Sequence, residues 1–201
     1  MVSQTKLEGT RIVVKGKIQP SIADDILELL DSAVGTNIQV IEIDSTGGRL
    51  DSVDHAMKLI RDRQLTVMAN NVCASACTNL FIAGSHRVAY EDTIFMVHRP
   101  RFEDEQFNDG FTRVFLEPFL EKYDYPTELF NRSVNCRNDF YYSAHDFMKM
   151  GIVDEIVSRP SPVFSGKGPL SCPQLKMLIR RQYPSLSESD IDLKIESHCS
   201  L

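Results

Sequence analysis

From Arg11 to His98 the chain alternates between two kinds of segment, and that alternation restricts the fold more than any other feature. Arg11 to Ile18 (RIVVKGKI), Ile38 to Asp44 (IQVIEID) and Leu65 to Ala69 (LTVMA) are β-branched, apolar runs of strand length. Between them lie two stretches with helical spacing. Ile22, Ile26, Leu29 and Leu30 form one face, opened by Ser21 and closed by Gly35; Leu50, Val53, Met57 and Ile60 form the other. Strand, helix, strand, helix, strand describes an α/β fold with a mainly parallel sheet, because parallel neighbours need a long crossover. Those crossovers should be right-handed. A short buried helix is expected through Phe81, Ile82 and Ala83, then strands at His86 to Ala89 and Ile94 to His98.

Beyond Pro100 the pattern is looser. Arg99 to Gly110 reads as a polar loop or arm, and Phe111 to Arg132 as helix interrupted at Pro118 and Pro126. Ser143 to Met150 reads as a short helix ended by Gly151, with a final strand at Ile152 to Val157. After Arg159-Pro160-Ser161-Pro162 the composition changes. The expected division is a main domain over 1–158 and a small helical extension over 159–201, with helices at Pro173 to Gln182 and Ser187 to Glu196.

Bulk properties narrow the function classes. The 201 residues suffice for one domain with a sizeable core. A net charge of −6 without a basic stripe argues against a nucleic-acid partner. No run approaches the roughly 20 apolar residues of a membrane span, and the polar start Met1 to Lys6 has no signal-peptide core. The sequence as written is thus expected in the cytoplasm, or in the periplasm if a leader has been removed. The five cysteines, an odd count, do not resemble a disulfide scaffold, and no second close Cys or His pair completes a zinc pattern. Neither metal nor cofactor is expected. A bridge from Cys172 to Cys199 stays open.

Three local features carry chemistry. Gly47-Gly48 ends a strand, where bare backbone N–H groups can face a ligand. Ser75, between two alanines, lies between a strand and a helix start, whose N–H groups can stabilise an oxyanion. His98 ends the apolar strand Ile94 to Val97. Alone, each has an ordinary structural reading as a turn, an N-cap or a packed histidine.

Taken together, Ile43-Asp44-Ser45-Thr46-Gly47-Gly48, Ala74-Ser75-Ala76 with Ala83-Gly84, and Phe95-Met96-Val97-His98-Arg99-Pro100 resemble the ClpP/crotonase family, in particular the Clp proteolytic subunit. Cys73-Ala74-Ser75-Ala76-Cys77-Thr78 is similar to a bacterial branch of Clp-like proteins. Gly151-Ile152-Val153-Asp154 resembles the family's closing strand, which sets the catalytic aspartate at Asp139. The resemblance spans about residues 11 to 158 and implies a spiral of ββα units. It implies a serine peptidase with Ser75 as nucleophile, His98 as general base and Asp139 orienting it, and an oxyanion hole from Ala76 and Gly48 or Gly47. A peptide or unfolded-protein substrate and a homo-oligomer follow.

Two departures from the family qualify this. Arg99 to Asn138 is shorter than the handle that joins two Clp rings, and the part before Thr10 is brief. The expectation is an ATP-independent enzyme in a smaller assembly, without an unfoldase. Three readings of Cys73 and Cys77 stand: small buried hydrophobes, a redox-sensitive bridge, or a cysteine nucleophile. Two other functions share the fold, a crotonase-type acyl-CoA enzyme and a non-catalytic scaffold.

Overall fold

A computed structural model describes residues 4–33, 35–100, 110, 112–159, 172–182 and 191. Strand β1 (Gln4–Glu8) pairs antiparallel with β2 (Arg11–Lys15) through a turn at Gly9, whose φ of +62° suits glycine. Helix α1 (Ile22–Ser32) leads to β3 (Val40–Ser45), parallel to β2. A 3₁₀ turn (Leu50–Ser52) and α2 (Val53–Asp62) lead to β4 (Thr66–Ala74), parallel to β3. Helix α3 (Ala76–Ile82) follows at once. These are the alternating units expected from the sequence, within a mixed eight-stranded sheet.

Alternate strand residues Ile12 and Val14, Ile41 and Ile43, Val67 and Ala69 join Ile26, Met57, Ile60 and Phe81 in one core. The 3.6-residue periods of α1 and α2 and the two-residue period of the strands converge on the same apolar layer. Burying each such Ile or Phe is worth about 1.5–3 kcal/mol. The opposite face of β3 carries Glu42 and Asp44, both buried. Glu42 accepts hydrogen bonds from Arg11 at 2.7 Å and Asn70 at 2.6 Å, as a buried carboxylate requires.

Strand β4 forks. Its first half, Thr66 to Ala69, pairs with β5 (His86–Tyr90); its second half, Val72 to Ala74, pairs with β6 (Ile94–Val97). Between the halves the register with β3 jumps from Ile43↔Ala69 to Ser45↔Cys73, so four steps of β4 face two of β3. Asn71 takes φ 38° at this bulge, a conformation asparagine tolerates. The Asp44 carboxylate accepts from Asn71 Nδ2 at 2.9 Å and Val72 N–H at 3.3 Å, supplying partners that the broken ladder does not.

Helices α4 (Glu117–Lys122) and α5 (Thr127–Asn135) bury Phe119, Leu120, Leu129 and Val134. Pro118 does not interrupt: it sits in the first turn of α4, just after a π-helical turn (Thr112–Leu116), where its missing N–H costs nothing. Strand β7 (Phe140–Ser143), not foreseen, pairs antiparallel with β6. Helix α6 (Ala144–Lys149) starts at a capping box of Ser143 and Asp146, and β8 (Glu155–Val157) closes against β5. In the extension, α7 (Cys172–Gln182) buries Leu175 and Ile179, one turn apart; the second expected helix lies outside the described residues except for position 191.

Candidate active site

Ser75 stands at the junction of β4 and α3 with φ 56° and ψ −124°. An L-residue reaches that region only at a cost of about 1–3 kcal/mol, so the surroundings must hold it there. Ser75 N–H donates to the Met96 carbonyl at 2.8 Å, and the Ser75 carbonyl accepts from Thr78 N–H at 2.9 Å. The Thr78 hydroxyl lies 3.2 Å from both the Met96 and Cys73 carbonyls, tying α3 back to the two strands. Thr78 was invisible as a site residue in the sequence, since its role lies in a contact 18 positions away.

Ala74 pairs with Met96, so β6 runs alongside the elbow and ends with His98 next to it. His98 Nε2 lies 2.8 Å from Ser75 Oγ, a hydrogen-bond distance. Both side chains are partly exposed, within reach of a substrate. The β6–β7 ladder ends on the pair of Val97 with Phe140, and His98 and Asp139 are the residues just beyond that end. The register therefore brings Asp139 to the same strand end as His98. Ser75 and His98, 23 positions apart in the chain, meet at the ends of β4 and β6, and Asp139 directly precedes β7.

The two glycines differ. A Cβ on Gly47, which has φ +95°, would lie 2.7 Å from the Ala74 carbonyl oxygen and 2.8 Å from Ser75 Cβ. Glycine there lets the loop touch the elbow. Gly47 N–H donates to the buried Ser45 hydroxyl at 3.0 Å, and the Gly47 carbonyl accepts from Ile18 N–H at 2.9 Å. Across a trans peptide the carbonyl and the following N–H point in opposite directions. Gly48 N–H therefore points away from Ile18. On the far side of β3 from β2 lies β4, whose end carries Ser75. A Cβ on Gly48 would lie 2.2 Å from the Ile18 carbonyl oxygen, so no other residue fits that bridge either. The Ala76 N–H sits in the first turn of α3, among the donors a helix leaves unpaired.

Cys73 and Cys77 are joined in a disulfide and are fully buried. Of the three readings, the bridge is the one realised. Cys172 is also disulfide-bonded, while Cys199 lies outside the described residues. The remaining histidines take other places. His86 lies 3.2 Å from Glu155 and His145 3.8 Å from Glu91; His198 is outside the described residues. Farther from the elbow, the Tyr125 hydroxyl donates to Asn79 Oδ1 of α3 at 2.7 Å, and burial pushes its ionisation far up. Among the described residues no cluster of His, Cys, Asp and Glu could hold a metal, and no helix is long and apolar enough to cross a membrane.

No protein-family model matches the chain, and neither does any curated protein. Solved structures do. ClpP1 from Listeria monocytogenes is 19% identical, with 75% of this chain and 92% of that one covered, at a TM-score of 0.58. A point mutant of the same ClpP1 is 21% identical over 76% and 93% of the two chains, at 0.60. A mutant of a membrane-bound stomatin-specific protease is 15% identical over 72% and 77%, at 0.59. The chain thus has the ClpP-type fold expected from its motifs.

Proposed function

We propose that this chain is a serine peptidase that cleaves peptides or unfolded protein through an acyl-enzyme. The observation that carries the reading is the 2.8 Å approach of His98 Nε2 to Ser75 Oγ at a backbone elbow held in a costly conformation. His98 takes the hydroxyl proton as Ser75 attacks a carbonyl and returns it to the leaving amine. Asp139 holds the imidazole in the right tautomer and stabilises its charged form. The Ala76 and Gly48 N–H groups receive the oxyanion. Gly48 is favoured over Gly47 because the Gly47 N–H is already engaged by Ser45. Losing one such donor costs about 3 kcal/mol of transition-state stabilisation.

Ser75→Ala should abolish labelling by a fluorophosphonate probe while circular dichroism and the melting temperature stay near wild type. Undiminished labelling of that variant would refute the assignment.

The reading includes a homo-oligomer smaller than a two-ring barrel, working without ATP. In support, α4 and α5 turn Phe119, Leu120, Leu129 and Val134 into the chain's own core, and the segment before Thr10 that would carry unfoldase-facing loops is brief. Mass photometry should give fewer than fourteen subunits; a fourteen-subunit particle overturns this part. Bridges at Cys73–Cys77 and at Cys172 favour an oxidising compartment over the cytoplasm, where thiols are kept reduced.

A further inference from the structure

The Cys73–Cys77 bridge closes a ring of five residues with Ser75 at its centre. Cys73 lies at the end of β4 and Cys77 in the first turn of α3, with Cα atoms 5.2 Å apart. The bridge spans the bend on which the Ser75 conformation depends. Both cysteines are fully buried, next to Ala74 and Ala76, which are 0% and 2% exposed. The residues flanking Ser75 are thus buried, while Ser75 carries a backbone conformation with an intrinsic drive to relax.

We propose that this disulfide is a positioning device for the nucleophile: the oxidised bridge sets Ser75 Oγ against His98 Nε2, and reduction attenuates the enzyme reversibly. The proposal rests on the serine-peptidase reading. The covalent bond holds the two sulfurs well inside the about 3.5–4.0 Å at which non-bonded heavy atoms rest. Once it is cut, two thiols must separate within a close-packed interior. The bend between them is where that separation acts, at Ser75, whose backbone conformation costs energy to keep. A displacement near 1 Å at a reacting group can cost about a hundredfold in rate.

The reductant is a small dithiol. Its thiolate attacks one protein sulfur, the Cys73–Cys77 bond breaks, and a mixed disulfide forms. The reagent's second thiol then closes on the first as a cyclic disulfide and releases the remaining protein sulfur. Two electrons and two protons pass to the protein, which ends as two thiols.

The experiment measures the rate of fluorophosphonate labelling and the kcat and KM for a p-nitrophenyl ester, before and after dithiothreitol. Mass spectrometry of alkylated, denatured protein scores the bridge. Because Cys172 is also bonded, every arm is repeated in Cys172→Ser. The expected result is labelling slower by on the order of tenfold or more after reduction, a fall in kcat with KM kept, and recovery on reoxidation with oxidised glutathione. A purely structural staple would lower the melting temperature but leave kcat intact well below it. Cys73→Ala/Cys77→Ala should label at the slow rate with or without reductant. If that variant does not fold, the reduction and reoxidation arms in Cys172→Ser carry the test.

Equal rates before and after reduction overturn the proposal and leave the peptidase reading standing. So does a response that disappears in Cys172→Ser, or free thiols at Cys73 and Cys77 in protein purified without reductant. No Ser75-dependent labelling of the oxidised protein overturns both.

Discussion

Gly47 shows what one missing side chain does at this site. Its Cβ would fall 2.8 Å from Ser75 Cβ and 3.1 Å from the Ala76 nitrogen, at a φ of +95° that L side chains rarely adopt. Gly47→Ala must therefore shift the loop or the elbow, and either shift moves the oxyanion donors relative to Ser75 Oγ. We expect this variant to lose fluorophosphonate labelling by on the order of a hundredfold, the loss that follows removal of one oxyanion donor. Labelling within twofold of wild type would show that the glycine serves only its turn. The diglycine, Ser75 and His98 could be named from the sequence because their segments together resemble the Clp proteolytic subunit, although each alone reads as a turn, an N-cap or a packed histidine. That the Gly47 N–H is taken by the Ser45 hydroxyl and its carbonyl by Ile18 could not be read there, since both depend on the folded loop. The Cys73–Cys77 bridge was open for a related reason. Four positions apart along a strand, two cysteines cannot meet; along a strand that turns into a helix at the residue between them, they do.

Among elements, the parallel crossovers were legible and the bends were not. Helices α1 and α2 follow the 3.6-residue period that their apolar residues display, and the strands β2 to β4 show as β-branched apolar runs. The apolar run expected as the third strand ends at Ala69, before Asn70 and Asn71. In the fold they make a bulge inside one longer strand, held from one side by Asp44 and from the other by Arg159, whose Nη2 donates to Asn70 at 2.6 Å and Asn71 at 3.0 Å. Those partners lie 27 to 89 positions away, beyond any local rule. The bulge re-aims the end of β4 onto β6, which is how Ser75 and His98 come together. Strand β1 was missed because Gln4 to Glu8 is polar and almost wholly exposed, an edge strand made by its hairpin. Strand β7 is four residues long and takes its identity from pairing with β6; Asp139 is the residue just before it.

The sheet ends at β8, the last of its strands in chain order. Three pairs join it to β5, and much of its anchoring comes from one ion pair beside them. The Asp154 carboxylate accepts from Arg87 N–H at 2.8 Å, from Nε at 2.9 Å and from Nη2 at 2.8 Å, while Asp154 N–H donates to the Arg87 carbonyl at 2.8 Å. These Arg87 hydrogen bonds hold the Asp154 carboxyl below its ordinary value, against the opposing effect of partial burial. A carboxyl whose folded pKa is depressed stabilises the fold above its unfolded value of about 3.9 and loses that contribution as pH falls through the folded value. Wild-type melting temperature should therefore drop as pH goes from about 5 toward 2, in part because Asp154 must take up a proton. Asp154→Asn keeps the shape and gives up the charge. The variant should be less stable than wild type at pH 7, and the gap should narrow through the acid range until the two curves meet. A gap of constant size from pH 7 to pH 2 would mean that the carboxylate's charge contributes nothing, and that β8 is held by its strand pairs and by the apolar contacts of Ile152 and Val153 alone.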